Sequence, residues 1–161
     1  MSNIIFIHGL ESSGSGFKGR LFKKEIPGII TPDFKGSLEK RMELMEDILE
    51  GAQPWIIIGS SWGGLMSAIY TRDHPDKVSL LILLAPVLVH PELDSINQAI
   101  DVPVIVYHGK NDTVVPLKRT KERAKILFSH LQYNTVEDDH MLHPTVEAIN
   151  WQGILNYKRS V

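Results

Sequence analysis

The sequence predicts a three-layer α/β/α sandwich around a mostly parallel sheet of about six strands. Three observations carry this. Short runs rich in Ile, Leu and Val recur along the chain, most of them apolar at every position instead of at alternate ones. That is the pattern of parallel strands covered on both faces. Amphipathic segments lie between the runs, giving a β-α-β-α order. No repeat, low-complexity linker or break in composition divides residues 1–161, so they read as one domain.

The expected strands are 3–7, 29–31, 55–58, 80–84, 104–108 and 132–136. Ser37 is placed to cap a helix whose Leu38, Met42, Met45 and Leu49 share one face, with Gly51 as its stop. A helix over 64–73 ends ahead of Pro75. Pro116 and Pro144 stand where first-turn prolines belong, opening helices near 117–128 and 145–157.

Composition removes several function classes. Lys and Arg total 17 against 19 Asp and Glu, a balance that offers no electrostatic footprint for nucleic acid or an anionic membrane. There is no cysteine, which excludes disulfides and cysteine-based zinc or redox sites. The N-terminus lacks the basic start and long apolar stretch of a signal peptide, and the longest apolar run, 80–89, is about half of a membrane span. A soluble, cytoplasmic protein is expected.

The segment Gly59-Ser60-Ser61-Trp62-Gly63 fits G-x-S-x-G and sits between an apolar run and a helix. A chain that reverses sharply there leaves no room for Cβ atoms two residues either side of its apex. It also holds the Ser61 hydroxyl out at the N-terminus of the next helix. A serine needs a base, and the base an orienting carboxylate. Asp112 follows the strand ending near His108, and His140 follows the last strand. The order Ser61, Asp112, His140 is the one that accompanies this turn. His143 is the rival base; His140 is nearer the strand end, and His143 directly precedes the helix-opening Pro144. The spacing of the two histidines is not a helical i, i+4 pair and has no third ligand, so no metal is expected. Backbone N–H groups of Leu10 and Trp62 are the candidate oxyanion donors. Phe17, Val87, Leu88 and Met141 are candidate substrate walls.

These residues resemble the α/β-hydrolase family. "FIHGLESSG" is similar to its oxyanion loop, "GSSWGG" to its nucleophile elbow, "YHGKNDTVVP" to its acid loop and "DDH" to its histidine loop. The resemblance spans residues 3–157 and is closest to small esterase-like members. It implies a Ser-His-Asp hydrolase acting most often on esters, without a cofactor, on a small-molecule acyl substrate. The chain departs from the family in being short, with no segment that matches the first antiparallel strands. Its segment 86–102 is too brief for a cap domain, and Asp139 precedes the histidine where Gly-Asp is common. A minimal fold with an open, shallow site is therefore expected. The alternatives are a thioesterase on acyl carriers, a hydrolase-shaped interaction module without turnover, and a dinucleotide-binding protein. The last rests on Gly14-Ser15-Gly16-Phe17-Lys18-Gly19, a G-x-G-x-x-G run with Asp33 downstream near where a ribose-binding acid would sit; read otherwise, the run is a glycine-rich rim beside the active site, where Lys18 and Arg20 face solvent or an anionic substrate. Its first glycine comes about six residues after the strand end, whereas that fingerprint turns tightly at the strand.

Overall fold

A computed structural model describes residues 3–51 and 54–159. Five parallel strands, β1 (Asn3–Ile7), β2 (Trp55–Ser60), β3 (Val78–Leu84), β4 (Ile100–Gly109) and β5 (Phe128–Val136), lie side by side in that order. Helices α1 (Phe17–Glu25), α2 (Leu38–Leu49), α3 (Trp62–Asp73), α4 (Leu117–Leu127), α5 (His143–Ala148) and α6 (Trp151–Arg159) cover the two faces.

Strand alternation divides the core into two layers. Ile5, Ile7, Ile57, Leu81, Leu83, Val104 and Val106 point toward Met45, Leu65 and Ala124 of α2, α3 and α4. Ile4, Phe6, Ile56, Ile58, Ile82 and Leu84 point toward Phe22, Val146 and Trp151 of α1, α5 and α6. Both faces of the central strands are therefore dry, which is why those strands read as unbroken apolar runs.

The sheet has five strands where about six were expected. Segment 29–31 contributes one bridge, Ile30 to Ile5. Gly28 at φ 84° and Pro32 bracket it, and neither extends a ladder. Strands β4 and β5 begin earlier than their apolar runs. Ser129, His130 and Gln132 sit in the edge strand β5, whose pattern is mostly exposed or half-buried, so polar residues are tolerated there. The last expected helix is two, α5 and α6, separated at Ile149 and Asn150. Ser37 caps α2 by accepting from the Lys40 amide at 3.2 Å.

The connection from β3 to β4 contains only a short 3-10 turn, Pro91–Leu93, so no cap domain is inserted there. Among the described residues no helix is long and apolar enough to cross a membrane.

At the β2–α3 junction the backbone of α3 runs against the end of β1. A Cβ on Gly63 would lie 2.6 Å from the carbonyl oxygen of His8, and one on Gly59 would lie 2.6 Å from that of Gly63. Gly63→Ala is therefore expected to destabilise the fold by about 2–3 kcal/mol, since the contacts are backbone and cannot swing aside. Urea titration checks this; a change under about 1 kcal/mol would mean that β1 shifts freely.

Candidate active site

Ser61 is the cap residue of α3, at φ 54° and ψ −113°, a conformation strained for any L side chain. The turn is held by its own amide, which donates to Leu84 O at 2.9 Å. Its carbonyl accepts from Gly64 and Val87, each at 3.0 Å, and Leu65 at 3.3 Å. The strain is thus fixed from both sides of the peptide, and the hydroxyl stands at the carboxyl edge of the sheet.

Asp112 and His140 arrive by contact between two loops. The Lys110 amide donates to Val136 O at 2.8 Å and the Asn111 amide to Asp138 O at 3.0 Å, so the segment after β4 is zipped to the segment after β5. Asp139 Oδ1 accepts the Met141 amide at 2.9 Å, closing a turn with His140 at its tip. His140 Nε2 lies 3.1 Å from Ser61 Oγ, and His140 Nδ1 lies 2.8 Å from Asp112 Oδ2. The structure thus brings the His140 ring, and not that of His143, against Ser61 Oγ. The His143 ring stacks on Phe17, centroids 3.8 Å apart.

The Asp112 carboxylate is fully buried and has four donors around it. Oδ1 accepts the amides of Val114 and Val115, both at 2.8 Å. Oδ2 accepts from His140 and, at 3.2 Å, from His108 Nε2. Burial alone would raise its pKa, but the Val115 amide, the His140 side chain and the Val114 amide outweigh it and hold the carboxyl below the usual range.

In the sequence His108 marks only a strand end. It is fully buried, with Nε2 facing two acceptors, Asp112 Oδ2 and Val115 O, the latter at 3.1 Å. That nitrogen therefore carries the proton, and Nδ1 accepts from the Tyr133 hydroxyl at 2.6 Å. Burial lowers the His108 pKa, which keeps the ring neutral in this role. The one sequence signal for it is a histidine closing an otherwise apolar run four residues before Asp112.

The first loop lies beside the serine: a Cβ built on Gly9 would be 3.5 Å from that of Ser61. His8 is buried, its Nε2 accepting the Phe34 amide at 2.8 Å and its Nδ1–H donating to Gly9 O at 2.7 Å. In a trans peptide the N–H opposes the C=O, so pinning Gly9 O fixes the direction of the Leu10 N–H. Among the described residues neither the Leu10 nor the Trp62 amide donates to another protein group.

A cavity of about 540 Å³ adjoins Ser61 and His140, lined in part by Leu10, Phe17, Trp62, Val87, Val114 and Met141. Leu88 is not part of it: this side chain is fully buried in the core beneath α3, because the chain turns inward after Val87. A wider depression of about 1080 Å³ lies along β4, β5 and α6, away from the serine. In the glycine-rich run, Asp33 Oδ1 accepts the Gly14 amide at 2.7 Å and Arg20 donates to Ser15 O at 2.9 Å. The acid expected to meet a ribose instead clamps the loop.

Comparison with known proteins agrees with this architecture. Residues 32–101 match the family model of the alpha/beta hydrolase fold. Proline iminopeptidase of Neisseria meningitidis is 26% identical over 169 residues, covering 94% of this chain and 54% of that protein. The chain thus spans about half the length of the curated relatives it matches. Among solved structures, mouse alpha/beta hydrolase domain-containing protein 10 superposes with a TM-score of 0.82 at 16% identity, covering 99% of this chain and 90% of that one. A structure from work on the metagenome-derived lipolytic enzymes LipS and LipT superposes with a TM-score of 0.77 at 12% identity, covering 99% and 94%. The chain has the α/β-hydrolase fold.

Proposed function

We propose that the protein is a serine hydrolase that cleaves a carboxylic ester or related acyl bond through an acyl-enzyme. The observation that supports this most directly is the continuous hydrogen-bonded line from Ser61 Oγ through both nitrogens of His140 to Asp112 Oδ2. In this reading Ser61 attacks the carbonyl carbon and His140 Nε2 takes its proton. Asp112 holds the Nδ1–H tautomer and stabilises the imidazolium, while the Leu10 and Trp62 amides receive the oxyanion. His140 returns the proton to the leaving group, then activates water to release the acid. The same machinery serves thioesters and amides. The proline iminopeptidase relatives make amide cleavage the second reading.

Assays with 4-nitrophenyl acetate, an acyl thioester and proline 4-nitroanilide separate these substrates, and labelling of Ser61 by a fluorophosphonate tests the nucleophile itself. A folded protein that neither turns over any of them nor labels at Ser61 would be an interaction module of hydrolase shape.

His108 acts here as a positioning residue. His108→Phe removes one donor to Asp112 and is expected to lower kcat by up to about 10²-fold, as small misplacements do. Three donors still hold the acid, but its Oδ2 then serves His140 alone, so the acidic limb of the kcat/KM profile should also move. A lower melting temperature with kcat and the pH profile unchanged would reduce His108 to a packing residue.

A further inference from the structure

The cavity beside Ser61 contains a cation for which no protein group accounts. Lys18, in the first turn of α1, lines it, together with Glu11, His140 and His143. None of the ion pairs or side-chain hydrogen bonds among the described residues includes the Lys18 ammonium. Burial lowers its pKa to about 8, although the charges of Asp138 and Asp139 pull the other way. Both carboxylates are engaged locally. Asp138 Oδ2 accepts from the Thr145 hydroxyl at 2.6 Å and the Thr145 amide at 3.1 Å, and Asp139 Oδ1 holds the Met141 amide.

A second polar atom in the same cavity is also unmatched. His143 Nε2 is buried with no hydrogen-bond partner, and stacking on Phe17 keeps the ring in place. A half-buried ammonium without an acceptor and a buried ring nitrogen left unpaired line the same cavity, and one carboxylate within reach of both would satisfy both. Arg20, which the sequence set beside Lys18, is instead exposed and directed to Ser15 O.

We propose that Lys18 and His143 form a subsite for a carboxylate carried by the substrate, so that the preferred substrate is an anionic ester. This rests on the hydrolase reading above. Two matched pairs test it and tell which side of the scissile bond bears the charge. On the alcohol side the pair is 4-acetoxybenzoate and its methyl ester. On the acyl side it is mono-4-nitrophenyl adipate and 4-nitrophenyl hexanoate.

In one pair, kcat/KM for the anionic member over the neutral one should fall by about tenfold or more in Lys18→Met, the worth of one charge-assisted hydrogen bond. The ratio cancels effects on the triad. In the wild type it should decline as pH rises through about 8, because kcat/KM reports the free enzyme and Lys18 loses its charge there. Lys18→Arg should keep the preference and remove that decline.

A ratio unchanged by Lys18→Met in both pairs overturns the subsite. If that variant does not fold, a flat wild-type ratio from pH 7 to 9.5 does the same. Fluorophosphonate labelling of Ser61 distinguishes the failures. A labelled enzyme without anionic preference loses only the subsite. A folded protein that neither labels nor hydrolyses any of the four esters loses the hydrolase reading, and the subsite with it.

Discussion

Ser61→Ala is expected to lower turnover of 4-nitrophenyl acetate by a factor on the order of 10⁶, because the members of such a triad act as a unit. The variant should also stop labelling by a fluorophosphonate. The fold should hold, since alanine removes only the hydroxyl at the turn. The structural bonds there run through the Ser61 amide and carbonyl, to Leu84, Gly64, Leu65 and Val87. Alanine at φ 54° is as strained as serine, so the elbow itself should not relax. Activity within tenfold of wild type would remove Ser61 from the mechanism and redirect attention to a water activated by His140.

Asp112→Asn is expected to cost about 10⁴-fold in kcat, with a measurable loss of stability. The reason lies in the count of donors. Val114 N–H, Val115 N–H, His140 Nδ1–H and His108 Nε2–H all point at this carboxylate. Asparagine has one acceptor oxygen. With its NH2 toward the histidines, His140 must adopt the Nε2–H tautomer and can no longer accept the Ser61 proton. With its NH2 toward the amides, donors face donors in a dry site. Either orientation leaves buried groups unpaired, at about 1–3 kcal/mol each. Steady-state kinetics and a denaturation curve on the same preparation check both effects. A loss of less than tenfold in kcat would show that His140 holds its tautomer without help from the acid.

Much of this was legible in the sequence. Apolar runs such as 55–58 and 80–84 marked the strands, because a strand dry on both faces cannot hide its composition. Gly59 and Gly63 marked the turn, because only a residue without Cβ fits against neighbouring backbone. The edge of the sheet was harder to read. β5 carries polar residues on solvent-facing positions and tolerates them, and segment 29–31 resembles a strand but pairs at a single residue. Leu88 resembles a substrate contact by its place in a loop, yet one residue of chain turn buries it while Val87 reaches the cavity.

What the sequence determined by itself is the layered architecture and the residue types available for chemistry at strand ends, since both follow from local pattern and steric need. The tertiary structure alone decided which histidine meets Ser61, that His108 shares the buried carboxylate of Asp112, and that Lys18 turns into the cavity while Arg20 stays outside. Those outcomes depend on where distant loops touch. The bonds zipping the segment after β4 to the segment after β5 are backbone to backbone, so no side-chain pattern encodes them.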